Sequence, residues 1–312
     1  MRAKIFAVLV IAAFVGMAAA VSISDGAGTT AFAFLLENDI GVKSSALGGA
    51  WVGWGKSADA FASNPAAAVM WVKRSAEVSF GNFWELYNSG FGGYSHKIDQ
   101  NTALAGGVNF VSYGSFTRTD ESGNVTGEFS GSDFEIVGAF ARKFSKSLSA
   151  GISAKFLYSG VDTFTQTAVG FDLGVIYRGR RDHFRAGLVL ANLGTVLSAY
   201  GETKAPLPLT VKLGGYYYLP GFPGELGVQV ETGKNVDLRV RAGLELDFLK
   251  PVYFRVGYVL RPNPDEDPAG TNSLNGLTAG LGLELKKFSF GYSLQHYGAL
   301  GFVHRAGIGY LF

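Results

Sequence analysis

From about residue 74 to the end of the chain, apolar and polar side chains alternate with a period of two. In Asn235–Phe248, Val236, Leu238, Val240, Ala242, Leu244, Leu246 and Phe248 fall on one face, and Asp237, Arg239, Arg241, Glu245 and Asp247 fall on the other. A β-strand points successive side chains to opposite faces, so this segment has one apolar and one charged surface. The pattern recurs over 74–84, 87–97, 102–113, 131–144, 147–159, 163–178, 182–192, 207–219, 223–232, 235–248, 251–261, 274–286, 287–297 and 302–312. Most of these reach the ~9–11 residues that a tilted transmembrane strand needs. Strands of soluble sandwiches are usually shorter, about 5–6 residues. An even number of long strands predicts an all-β transmembrane barrel of about 14 antiparallel strands, closed so that no backbone group meets lipid unpaired.

The connections predict an orientation. With the N-terminus on the periplasmic side, that side carries only short turns, while longer stretches near 114–130, 193–206 and 262–273 fall on the outer side, the asymmetry expected of such barrels. The last segment, Phe302–Phe312, ends on an aromatic residue, and Tyr310 shares its face with Phe312. This ending resembles the signal read by the outer-membrane barrel assembly machinery.

Residues 1–73 break the pattern. Met1–Lys4 is basic, Ile5–Met17 is apolar, and Ala18–Ala20 are small, so residues 1–20 are expected to be a cleaved signal peptide. Residues 21–73 then form a segment of their own ahead of the barrel at 74–312. Its sequence LGGAWVGWGKSADAFASNPAAAVMW (47–71) is too broken by Gly for a spanning helix and too apolar for a solvated linker. Many inward-facing strand positions are Gly, including Gly151, Gly174, Gly187, Gly243, Gly257 and Gly280. Gly in a strand marks close approach by another backbone. Together these predict a short helical plug inside the barrel. Helical turns are expected near 43–53 and 57–62, and Asn64 and Pro65 are expected to cap and start another turn. Gly48, Gly49, Asn64, Pro65 and Ala66 are the plug positions expected to set its structure or gating. Trp51, Trp54, Phe61, Met70 and Trp71 are either plug packing or the lining of an apolar ligand pocket.

The polar faces line the lumen. Lys212, Glu231, Arg239, Arg241, Glu245, Asp247 and Arg255 are expected to form a mutually paired network there. Composition narrows the chemistry. The chain of 312 residues has no Cys, which excludes disulfides, thiolate metal sites and a Cys nucleophile. Its charged fraction of 17% is below the ~25% usual for soluble domains, and its net charge of +2 gives no argument for nucleic acid. Of the four His, His296 and His304 fall on the apolar face near strand ends with no Asp or Ser placed beside them by spacing, and no metal-binding spacing occurs. No catalytic residue, cofactor or metal is expected.

The stretch FLLENDIGVKSSALGGAWVGWGKSADAFASNPAAAVMW (34–71) resembles the opening of the PorV/PorQ family, within the wider FadL-like group of outer-membrane barrels. Gly41-Val42, Ser44–Leu47, Gly48-Gly49-Ala50, Asp59-Ala60 and Asn64-Pro65-Ala66 carry the likeness, which continues in 170–177 and 288–312. NPAAAVMW stands where Asn-Pro-Ala-Gly-Leu is commoner. The resemblance implies fourteen strands with an N-terminal hatch in the outer membrane of a Gram-negative-type bacterium. It implies a noncatalytic part in type IX-like protein secretion, with secretion components and cargo as partners. The alternative it implies is a FadL-like passive channel for long-chain fatty acids or other hydrophobic small molecules. Fold alone assigns neither.

Overall fold

In a computed structural model, the described residues are 29–37, 40–70, 73–83, 87–179, 182–260 and 274–312. The expected signal segment, Trp71 and the whole 262–273 connection lie outside them. Fourteen strands follow the plug: β1 (Arg74–Phe83), β2 (Tyr87–Lys97), β3 (Thr102–Thr119), β4 (Val125–Lys143), β5 (Leu148–Val161), β6 (Phe164–Arg178) and β7 (Phe184–Ser198). The second half is β8 (Thr210–Tyr218), β9 (Gly224–Gly233), β10 (Val236–Leu249), β11 (Val252–Leu260), β12 (Leu277–Leu285), β13 (Phe288–His296) and β14 (Phe302–Leu311). Each pairs antiparallel with its sequence neighbours, and β1 pairs with β14, so the sheet closes on itself.

Alternation decides which face meets what. Phe80, Leu104, Phe110, Ile136, Phe140, Phe171, Leu188, Leu281 and Phe290 point outward and are exposed, whereas Ser79, Asn109, Glu135, Asp172, Arg241 and Arg305 point inward and are buried. Apolar side chains outside and charges inside invert the arrangement of a water-soluble domain, and they suit a barrel with lipid around it.

Two connections differ from the sequence reading. The stretch expected as a long outer loop at 114–130 is mostly strand, because β3 and β4 run on as a hairpin to a tight turn near Gly123. Ser115–Gly127 is exposed on both faces, so no alternation marks it. β7 likewise continues to Ser198, past the expected end at 192. At this end of the barrel the wall has a seam. Pairing of β7 with β8 stops at Ala191–Thr210, and β7 shifts register against β6 around Asn192. The segment 205–209 fills the gap. Pro208 O accepts from Asn192 Nδ2 at 3.0 Å, and Pro206 O accepts from Ala31 N–H at 2.9 Å.

Candidate functional site

The plug crosses the lumen as short turns rather than one long helix. α1 (Phe34–Glu37), α2 (Val42–Ala46) and α3 (Ala60–Ser63) are followed by a 3-10 turn at Pro65–Val69. Short turns suit this sequence, since Gly48 and Gly49 take positive φ of 63° and 73° and end α2. Asn64 caps the 3-10 turn, its Oδ1 accepting from Ala66 N–H at 3.0 Å, with Pro65 in the first position.

A band of wall glycines receives this backbone. A Cβ on Gly257 would lie 2.3 Å from Gly48 N and Leu47 C; on Gly243, 2.5 Å from Leu47 O; on Gly187, 2.2 Å from Val52 O; on Gly151, 2.6 Å from Ala66 N. Any larger residue would push the plug off the wall.

Buried irregular backbone also needs hydrogen-bond partners. Wall side chains provide them. Gln229 Oε1 accepts from Trp51 N–H at 3.1 Å and Val52 N–H at 3.0 Å. Thr278 Oγ1 donates to Ala46 O at 2.9 Å, Arg241 Nη1 to Gly48 O at 3.1 Å, and Ser79 Oγ to Ile40 O at 2.7 Å. The Arg185 guanidinium donates to Trp54 O. The sequence places Gln229 among the polar lumen residues but does not mark it, Arg185 or Thr278 as plug anchors, because their partners lie more than a hundred residues away along the chain.

Of the residues expected as plug packing or apolar lining, the four described ones are packed. Trp51 and Trp54 are 2% and 0% exposed, stack at 5.6 Å, and Trp54 meets the Tyr216 ring edge-on at 4.9 Å. Phe61 packs with Val69, Phe91 and Ala139, and Met70 packs against the Trp51–Trp54 cluster. A separate apolar cluster lies at the end of the barrel that carries the β3–β4 hairpin. There Phe32 and Phe34 of the plug meet Val111, Leu157, Ala168, Val196 and Leu207. The sequence reading did not pick out Phe32 or Phe34, which sit in a segment without strand periodicity. The seam in the wall borders this cluster through Leu207, beside a small pocket of about 230 Å³.

Beneath the apolar cluster lies a ring of charge. Lys155 Nζ sits 2.8 Å from Asp172 and 3.8 Å from Glu135, and donates to Asn192 Oδ1 at 2.8 Å. Glu231 takes Arg241 at 2.9 Å and Arg239 at 3.8 Å. Lys155, Asp172, Glu135, Asn192, Glu231, Arg241, Lys212 and the plug residues Gly49 and Ser63 surround a void of about 60 Å³, room for a few waters. On the far side of the plug, Glu245 takes Arg255 at 2.6 Å and Lys43 of the plug at 2.9 Å. That pairing opens into a vestibule of about 480 Å³ at the short-turn end. So the lumen network is two clusters divided by the plug. Asp247 belongs to neither; it pairs with Lys250 at the β10–β11 turn, because the strand has left the lumen there.

The comparisons rest on fold. The toluene transporter TbuX of Ralstonia pickettii matches with a TM-score of 0.60 at 12% identity, over 87% of this chain and 97% of that one. The monoaromatic hydrocarbon channel CymD matches at 0.61 and 13% identity, over 88% and 97%. A FadL homologue of Pseudomonas aeruginosa matches at 0.56 and 12% identity, over 87% and 98%. This is the fold of FadL-like outer-membrane barrels. A scan against family models finds no match, and a search by sequence among curated proteins finds none.

Proposed function

We propose that the protein is an outer-membrane channel for hydrophobic small molecules. The observation that carries this reading is the apolar cluster of Phe32, Phe34, Val111, Leu157, Val196 and Leu207, placed beside the seam between β7 and β8. The fold likeness to hydrocarbon transporters supports it, and so does the apolar outer face, which supports an outer-membrane location. The path downward from this cluster meets Lys155, Asp172, Glu135 and Glu231, which an apolar solute cannot solvate. The proposed exit is instead the seam, where β7–β8 pairing stops and the wall is completed by the unpaired 205–209 segment. The solute therefore leaves sideways, and the plug keeps water and ions from following.

The secretion reading rests on the sequence resemblance of 34–71 to the PorV/PorQ opening, and no family match supports it. The two readings differ in a measurable way. Purified protein, incubated with toluene or a long-chain fatty acid and washed, retains ligand by mass spectrometry. Phe34→Asp and Leu207→Asp reduce retention and uptake at least roughly tenfold, since each places a charge in an apolar pocket. Absence of binding for both ligand types, together with loss of secreted proteins on deletion of the gene, would sink the channel reading.

We also propose that Tyr310 and Phe312 serve assembly by the barrel machinery. Phe312 packs edge-on against Tyr310 at 4.8 Å and Tyr94 at 5.9 Å. Deleting Phe312 lowers the membrane-inserted fraction severalfold, while Phe312→Tyr restores it; equal insertion of all three forms refutes the role.

A further inference from the structure

Buried cations of the lumen meet carboxylates. Lys43, Lys56, Lys155, Arg241 and Arg255 each have one at 2.6–2.9 Å. The short-turn mouth beneath β1–β6 is different. Lys97, Lys143 and Arg178 stand at the ends of β2, β4 and β6, each two residues beyond the inward-facing, buried Ser95, Ala141 and Ile176. Side chains two apart on a strand share a face, so all three turn into the mouth. Lys73, where the plug joins β1, and Lys146, in the β4–β5 turn, complete the lining of one open crevice of about 670 Å³.

The frame is fixed by backbone. Lys97 N–H donates to Lys73 O at 2.8 Å, Lys143 N–H to Asn101 O at 2.7 Å, and Arg178 N–H to Ser147 O at 2.7 Å. Among the described residues, none of the five cations has a carboxylate within ion-pair distance. The crevice contains one acid, Asp99, and its Oδ1 is occupied with its own turn, accepting from Asn101 N–H at 2.6 Å and Thr102 N–H at 2.9 Å. Five like charges held on a rigid rim, three of them half-buried, repel one another unless an anion joins them.

We propose that this crevice binds a phosphate-bearing anion. Several positive charges around one opening favour a multiply charged group, and a guanidinium beside ammonium groups suits phosphate oxygens. The phosphate comes either from a soluble phosphate ester or from a phospholipid headgroup at that membrane face; exposed Ile98 on the crevice rim gives a lipid chain something to touch. This inference is independent of the transported solute.

Two arms test it with the full chain in neutral detergent and in nanodiscs. Calorimetry with pyrophosphate reads the soluble source. Native mass spectrometry from phosphatidylcholine discs, with and without phosphatidylglycerol, reads the headgroup. The Lys97→Gln/Lys143→Gln variant weakens binding at least roughly tenfold, and binding falls as salt rises. Lys146→Gln, at an exposed turn position, weakens it less and gives a reading should the double variant fail to fold. Lys287→Gln, in a different turn at the same end, changes nothing. Pyrophosphate binding lost in the variants assigns a soluble ester. Selective phosphatidylglycerol retention lost in the variants assigns the headgroup. No binding in either arm, or binding that the crevice variants leave unchanged, overturns the site.

Discussion

Gly257→Leu is expected to expel the plug from an otherwise intact barrel. A Cβ at this position would sit 2.3 Å from both Gly48 N and Leu47 C, which are backbone atoms. Strand β11 cannot retreat, since it is paired on both sides, with β10 and β12. The plug cannot rotate a side chain out of the way, so the contact itself must open. Overpacking a core usually costs about 1–3 kcal/mol where side chains can shift; here the Arg241–Gly48 and Thr278–Ala46 hydrogen bonds are lost as well. In planar bilayers the variant conducts ions where the parent does not, and protease cleaves the 41–55 region. Gly138→Leu is the control, because its Cβ meets nothing within 4 Å. Uptake of hydrophobic solute does not rise in step with ion current, because the proposed route runs through the seam. A Gly257→Leu barrel that stays closed and protease-resistant would show that the glycine band does not hold the plug.

The barrel was legible because lipid outside and charge inside impose a strict period of two, and strand ends fall within about three residues of the expected ones except where β3, β4 and β7 run on at one end of the barrel. The period fails where its cause fails. Beyond the membrane the β3–β4 hairpin has water on both faces, so Ser115, Thr117, Thr119 and Glu128 carry no alternation, and the stretch reads as loop. The plug was legible indirectly, through glycines on the inward face that would otherwise leave holes. Its anchors were not. Gln229 is one of many polar inward residues, and only the register of β9 against the plug makes its amide the acceptor for Trp51 and Val52. The tryptophans left two readings open for a related reason. Large apolar rings amid glycines suit a ligand pocket or a packed plug equally, and the choice depends on whether Tyr216 and the wall close around them.

Lys155→Met is expected to be the most destabilising single change in the wall. Lys155 lies mid-strand in β5, with 8% side-chain exposure, between Asp172 and Glu135, which are 4% and 5% exposed. Removing the ammonium leaves two buried carboxylates facing each other across a void with room for only a few waters. Breaking one partner out of a buried ionic cluster typically costs about 3–5 kcal/mol, mostly from the uncompensated charge left behind. The loss appears as a lower guanidinium midpoint for the barrel in lipid vesicles, with an unchanged slope. Lys155→Met combined with Glu135→Gln and Asp172→Asn removes the charges together and recovers most of the midpoint, because the cost lies in imbalance rather than in missing attraction. Gly49, Ala62 and Ser63 of the plug border the same void, so the single variant also loosens the plug and shows ion leakage that the triple variant lacks. Equal midpoints for the single variant and the parent would mean that water already reaches this ring and screens it, and that the plug does not seal the lumen.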